Sequence, residues 1–283
     1  MSTARAAPIT STLQQLAADH DAFLLDQFGV LLDGAGPYPG AAEALAYLAG
    51  LGKRILVLSN SGKRAMPNEA RLAAMGFDRA LYGGVLSSGE AAYTHLQDRI
   101  GAEIAPGAPV MVLARDGDRS AIAGLDLSAT DDPAKARLIL IAGSEGEVHS
   151  LDHYTDLLRV PAASGVPAYC TNPDMTMLTA EGPAFGAGRI AALYAELGGP
   201  VSYVGKPYPL IYREAAAALG NPDPARTLCI GDSPAHDIRG GRGAGLKTAL
   251  VRTGIHRDDD LSTLLRDIPQ TDRPDYILPR FSL

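Results

Sequence analysis

The 283-residue chain contains only two cysteines, Cys170 and Cys229, no tryptophan, and few aromatic residues of any kind (6%). Two cysteines far apart in sequence, in no CxxC pair, exclude a disulfide framework and a zinc ribbon. A reducing cytoplasm is the expected compartment. No run of about 18 uninterrupted apolar residues occurs, so no helix is expected to cross a membrane. Residues 1–10 also lack the apolar stretch of a secretion signal. Positive charge is short as well: 25 Lys and Arg stand against 32 Asp and Glu, for a net charge of −7. Nucleic acid and anionic lipid surfaces both demand a clustered basic excess, and neither is expected as a partner. Internal repeats and low-complexity tracts are missing too.

What remains is an ordinary globular composition, 46% hydrophobic and 20% charged, with ample material for a core. The length exceeds one simple domain and falls short of three. Short apolar runs recur at 22–26 (AFLLD), 55–59 (ILVLS), 110–114 (VMVLA) and 138–142 (LILIA). Further runs lie at 201–204 (VSYV), 227–231 (TLCIG), 248–251 (TALV) and 275–278 (DYIL). Their near-continuous hydrophobicity fits strands buried on both faces of a parallel sheet. Between them, segments 39–52, 67–76 and 209–220 each open with Pro and close on Gly, the punctuation of helix entry and exit. Strand and helix in alternation predict a doubly wound α/β fold.

In such sheets ligands sit beyond the carboxyl ends of the strands. The residues there are Asp26 to Gly29, Ser59 to Ser61, Gly205 to Pro207, and Gly231 to Asp237. They form an early and a late block, separated by a middle segment with its own strand–helix alternation. The expected organisation is therefore a core from residues 1–84 and 201–283, with a second α/β domain, 85–200, inserted into it. Four segments carry the chemistry: DQFGV from Asp26, LSNS ending at Ser61, VGKP around Lys206, and IGDSPAHD ending at Asp237. Together they supply a carboxylate nucleophile, hydroxyl and amide donors, a cation and a second carboxylate cluster. Phosphoryl transfer uses such a set, with carboxylates holding Mg²⁺.

These segments, in this order, resemble the haloacid dehalogenase (HAD) superfamily, and within it the class IIA branch of NagD-like and 4-nitrophenyl phosphatases. The resemblance runs from about Ala22 to Leu278. It includes Pro39-Gly40-Ala41 at the first helix and Ala168 to Asp174 (AYCTNPD), which is similar to the family's ATNPD cap segment. The resemblance implies a Rossmann-like HAD core with a C2-type cap at the insertion, which closes over the site and selects the leaving group. It implies Mg²⁺-dependent hydrolysis of a small phosphorylated metabolite, and cap-to-cap homodimers are common in this branch.

By the same resemblance Asp26 is the nucleophile that forms an aspartyl-phosphate. Mg²⁺ is bound by Asp26, Asp232 and the backbone carbonyl of Phe28, and Asp237 buttresses either the metal site or Lys206. Ser59, Asn60 and Ser61 bind phosphate oxygens, Lys206 neutralises charge between Asp26 and the phosphate, and Asn172 and Asp174 face substrate from the cap. One position departs from the pattern. The family carries a second Asp two residues after the nucleophile, as general acid and base, and here that residue is Phe28. Positioned acid–base catalysis contributes about 10²–10⁴-fold. Esters with poor alkoxide leaving groups are expected to suffer most, aryl and acyl phosphates least. His236 and Asp33 are the candidate substitutes. The alternative is a catalytically weakened phosphate-ester-binding or regulatory protein on the same fold.

Each residue also has a plainer reading. Asp26 is a turn or cap residue on its own; Lys206 is a solvated lysine; Asp237 is a partner for Arg239 or Arg242. Gly186 to Ala191 fits the letters of a dinucleotide-binding GxGxxA, but residues 181–185 do not read as a buried strand before it. Residues 240–248 (GGRGAGLKT) lead into a strand rather than out of one, so a helix end and turn are expected there. His149 and His153 lack a third ligand at recognisable spacing. Asp258 to Asp260 reads as a solvated helix start, and Tyr82, Tyr93 and Tyr154 as packing residues.

Overall fold

The computed structural model describes residues 7–179 and 182–283. The first six residues of the expected core, and Glu181 in the segment before the GxGxxA letters, lie outside the described residues. The strands, in chain order, are β1 (Ile9–Thr10), β2 (Ala22–Asp26), β3 (Arg54–Ser59), β4 (Val85–Ser87), β5 (Ala108–Leu113), β6 (Leu127–Ala129) and β7 (Leu138–Ile141). They continue as β8 (Ala168–Cys170), β9 (Thr176–Thr179), β10 (Gly182–Phe185), β11 (Val201–Tyr203), β12 (Thr227–Gly231), β13 (Lys247–Val251) and β14 (Tyr276–Leu278). The helices are α1 (Leu13–Asp19), α2 (Ala41–Gly50), α3 (Ala65–Ala74), α4 (Ser88–Gln97) and α5 (Leu151–Ala163). After them come α6 (Ala187–Glu196), α7 (Pro209–Ala218), α8 (Arg239–Gly243) and α9 (Leu261–Asp267).

The chain divides into two units: residues up to Ser59 with Asn68–Leu86 and Lys206–Leu283, and Asn60–Pro67 with Ser87–Gly205. The first contains a seven-stranded sheet ordered β1-β14-β13-β12-β2-β3-β4, parallel at each pairing from β1 to β3. The apolar runs read from sequence form its centre. In β2 and β12, neighbours at the middle of the sheet, every residue but Asp26 is buried. Phe23 and Leu25 of β2 join one apolar cluster with α1 and α2, including Leu13, Leu16, Leu45 and Leu48. Full burial of such side chains contributes about 1.5–3 kcal/mol each. α7 opens with Pro209 in its first turn, where the missing N–H costs no helical hydrogen bond. Pro67 instead lies inside the first turn of α3, which starts at Ala65.

The second unit contains a five-stranded parallel sheet, β11-β8-β7-β5-β6, and an antiparallel hairpin of β9 and β10. α5 and α6 pack on it through Tyr154, Leu158, Ile190 and Tyr194. The buried Tyr194 hydroxyl donates to the carbonyl of Val166 at 2.6 Å. Two strands join sheets that their sequence position did not announce. β4 is the edge of the first sheet although the expected insertion began at residue 85, and β11 pairs with β8 in the second although the expected core resumed at 201. Three-residue apolar strands carry no mark of the sheet that will pair them. Residues 182–185 do form a strand, but it is a half-exposed hairpin arm rather than the buried parallel strand of a dinucleotide fold. Gly186 and Gly188 serve packing: a Cβ on either would lie 2.2 Å from the carbonyl oxygens of Asp174 and Pro173. Among the described residues no helix is long and apolar enough to cross a membrane.

Candidate active site

Parallel register brings the acidic residues to one end of the first sheet. Asp26 closes β2 opposite Leu58 of β3, and Leu25 pairs with Ile230 of the neighbouring β12, so that Asp232 emerges just past the adjacent strand end. Ser59, the last residue of β3, lies one position beyond the Asp26 partner and is buried. After β12 the chain makes a wide turn over Pro234–Ile238, in which the Ile238 N–H reaches back five residues to the Ser233 carbonyl. Such turns recur at functional sites because they re-aim a side chain. This one directs Asp237 inward, where it is 2% exposed.

Lys206, itself 3% exposed, bridges the carboxylates: its Nζ lies 2.6 Å from Asp26 Oδ1 and 2.7 Å from Asp237 Oδ1. The plainer readings of these residues therefore fall away. Asp237 pairs with Lys206, whereas Arg239 pairs with Asp272 and Arg242 donates to the Arg273 carbonyl. Asp237 Oδ2 also accepts the Ser233 N–H at 3.1 Å, and Asp232 Oδ2 accepts the Ile255 N–H at 2.9 Å.

Glycines make this crowding possible, a feature the spacing of motifs did not reveal. Gly29 has φ +87°, and a Cβ there would stand 2.2 Å from Asp232 Oδ2. Gly254, φ +74°, would place one 2.0 Å from the same atom, and a Cβ on Gly231 would meet Asp237 Cγ at 2.1 Å. Left-handed backbone and absent side chains are what glycine alone supplies. Thr253 Oγ1 ties the two segments together by donating to the Gly29 carbonyl at 2.5 Å, and the Gly254 N–H donates to the Tyr38 hydroxyl at 3.2 Å.

Oxygens of Asp26, Asp232 and Asp237 all lie within 4.8 Å of one another, and among the described residues this is the only such acidic or His/Cys group. With all three carboxylates ionised, one ammonium would leave an excess of negative charge in a buried pocket. Burial, with Asp237 and Asp232 added and Lys206 opposing, raises the Asp26 carboxyl well above its usual range. Burial and Asp237 push Asp232 up to about 6, against the Ile255 hydrogen bond. Burial works against the Lys206 ammonium, but Asp237 and Asp26 outweigh it and hold its pKa above the usual lysine range. All-oxygen donors, and carboxylates that burial holds from ionising without a counter-charge, fit a hard divalent cation.

Phe28 is 44% exposed, and the Arg71 guanidinium sits 5.5 Å from its ring centre. Of the substitutes for the acid, Asp33 uses Oδ1 to accept the Ala35 and Gly36 N–H groups of its own turn. His236 is half-buried on the wide turn, where its carbonyl accepts the Tyr212 hydroxyl at 3.2 Å. Asn60, Ser61, Asn172 and Asp174 belong to the second unit. There Asn60 Nδ2 donates to Asp174 Oδ1 at 3.0 Å, a link that no sequence pattern announced. His149 and His153 stack on each other with ring centres 4.2 Å apart, and Asp260 caps α9 by accepting the Thr263 N–H. Tyr82 and Tyr154 are buried and Tyr93 stacks under Arg64, the packing expected of all three.

A haloacid dehalogenase-like hydrolase family model matches residues 23–128, and a HAD-hydrolase-like model matches residues 203–282. Human chronophin is 33% identical over 254 residues, which cover 86% of this chain and 84% of that protein. The chain belongs to the haloacid dehalogenase-like hydrolases. Within that family its likeness is to the class IIA, NagD-like phosphatases. The p-nitrophenyl phosphatase from Archaeoglobus fulgidus superimposes with a TM-score of 0.76 at 27% identity, over 93% of this chain and 97% of that one. The glycerol phosphate phosphatase from Mycobacterium tuberculosis in complex with calcium gives 0.75 at 25% identity, over 94% of this chain and 75% of that one. A second structure of that protein contains magnesium.

Proposed function

We propose that this HAD-like hydrolase cleaves a small-molecule phosphate monoester with Mg²⁺ as cofactor, through an aspartyl-phosphate on Asp26. The observation that carries the reading is the buried Lys206 bridge between Asp26 and Asp237 beside Asp232, in a chain among whose relatives are proteins named as phosphatases. Asp26, Asp232, Asp237 and the Phe28 carbonyl would hold the cation. When bound, Mg²⁺ supplies positive charge that offsets the carboxylates and the substrate phosphate.

An Asp26 carboxylate oxygen attacks phosphorus, and the bond from phosphorus to the ester oxygen breaks with its electron pair leaving on that oxygen. Water then attacks the phosphorus of the acyl phosphate, which releases inorganic phosphate and restores the carboxylate. Lys206 orients Asp26 and offsets charge, Asp237 fixes the far side of Lys206, and Ser59, Asn60 and Ser61 donate hydrogen bonds to phosphoryl oxygens. The second unit, expected as the insertion 85–200, acts as a C2-type cap that chooses the leaving group, in a homodimer. Both cysteines are free and buried, compatible with a reducing cytoplasm.

Phe28 carries no proton, so an ester whose leaving group departs without protonation is the preferred substrate. The same residue favours a second reading, a phosphate-ester-binding protein with weakened turnover. Hydrolysis of 4-nitrophenyl phosphate with Mg²⁺ separates the two. Turnover that vanishes in Asp26→Asn and on chelation is the expected result. An Asp26→Asn protein as active as the native one sinks the mechanism, and Mg²⁺-dependent binding without native turnover supports the second reading.

A further inference from the structure

The Asn60 carboxamide is held at both ends within the second unit. Its Nδ2 donates to Asp174 Oδ1 at 3.0 Å, and its Oδ1 accepts the hydroxyl of the fully buried Ser88 at 3.4 Å. Gly205 lies beside the pair: a Cβ there would stand 2.7 Å from both Asn60 Oδ1 and Ser88 Oγ, so glycine is what leaves this hydrogen bond its space. Asp174 is itself fixed. Its N–H donates to Asn172 Oδ1 at 3.1 Å, its carbonyl accepts the Gly188 N–H at 3.0 Å, and its carbonyl oxygen leaves no space for a side chain at Gly186.

An ionised carboxylate only accepts hydrogen bonds, so it takes the NH₂ end of an amide and repels the oxygen end. The hydrogen bond to Asp174 thus assigns which end of the Asn60 carboxamide is the NH₂ and sets the plane in which that group lies. We propose that Asp174 is a positioning residue which fixes the Asn60 carboxamide, one peptide bond beyond Ser59, with an N–H presented to a phosphoryl oxygen. Asp174 thus acts on the phosphoryl group through Asn60 and is indifferent to the leaving group. This rests on the reading that Ser59 to Ser61 bind phosphate. It changes the role of Asp174 from contact with substrate to orientation of a donor.

The test compares Asp174→Ala, Asp174→Asn, Asn60→Ala and the double Asn60→Ala/Asp174→Ala with the native chain. Steady-state kinetics use 4-nitrophenyl phosphate and an alkyl phosphate, and titration calorimetry follows inorganic phosphate in the presence of Mg²⁺. Asp174→Ala should lower kcat/KM about tenfold, by the same factor for both esters, and weaken inorganic phosphate to a similar extent. Asp174→Asn, whose Oδ1 still accepts, should recover most of that loss. In the Asn60→Ala background Asp174→Ala should cost nothing more.

A loss that differs between the two esters while phosphate binding is unchanged overturns the proposal, because Asp174 then reads the leaving group. Asp174→Asn as poor as Asp174→Ala overturns it, as do additive losses in the double variant. Thermal midpoints measured on every variant, together with the double-mutant comparison, separate a folding defect from a positioning effect. A native protein that binds phosphate in an Asp174-dependent way but turns over no ester defeats the hydrolase reading alone. A native protein that binds no phosphate defeats both.

Discussion

In the first unit three carboxylates and an ammonium share a buried pocket and strain against one another. In the second a neutral carboxamide is engaged at one end by a carboxylate and at the other by a hydroxyl. The first arrangement is poised rather than stable: burial raises Asp26 and Asp232, whose ionised forms need a counter-charge. Groups perturbed in this way mark sites built for chemistry. The second arrangement orients an amide through a hydrogen bond at each end and works by rigidity. The two differ in kind: the first concentrates charge in a buried pocket, and the second fixes the direction of a neutral amide.

The largest test of that contrast changes Phe28, the exposed aromatic two residues after Asp26. Phe28→Asp returns an acid two residues after Asp26. Hydrolysis of alkyl phosphates should rise by about 10²-fold or more, while aryl phosphates, which need no proton, change far less. Equal gains on both esters, measured as kcat/KM, would show that Phe28 acts by bulk rather than by the absence of a proton.

A smaller effect lies in stability against pH. A carboxyl whose pKa is higher folded than unfolded binds more protons in the native state, so stability falls as pH rises between the two values. For Asp232 that window runs from the ordinary Asp range to about 6, and Asp26 adds in the same direction. The metal-free protein should therefore lose stability as pH rises toward neutrality, and Mg²⁺ should restore it. Saturation at a hundred times the dissociation constant stabilises by about 2.7 kcal/mol. The rise in Tm on adding Mg²⁺ should be larger near neutral pH than at about pH 5. A rise independent of pH would mean that the three carboxylates do not meet the cation.

The smallest test uses Gln27, next to the nucleophile. It is fully buried, and among the described residues neither polar atom of its side chain has a hydrogen-bond partner. Asn60 is the opposite case, an amide with both ends engaged. Gln27→Met removes the desolvation cost at similar volume and should stabilise the protein by about 1 kcal/mol in urea titration. A loss of that size would show that Gln27 has a partner which the static pocket does not display.

Much of this was legible before any coordinates. Apolar runs of the right length marked the central strands β2, β7 and β12, because strands buried on both faces need uninterrupted hydrophobic sequence. Helix α7 was readable from Pro209 at its start. Asp26, Ser59, Asp232 and Asp237 could be named because they close or follow strands of one sheet, and parallel topology sends those ends to one side; Lys206 follows β11 of the second sheet, and only its motif singled it out. Short edges were not readable: β4 and β11 each join a sheet that their position in the chain did not predict, since three residues encode too little pattern to select a partner. The sequence by itself determined the fold class and the roster of charged groups. Only the tertiary structure decided that Lys206 spans two carboxylates, that Gly29 and Gly254 leave room for Asp232, and that Asp174 holds Asn60. Each of those is a meeting of residues distant along the chain at atomic separation, and spacing in sequence carries no measure of that.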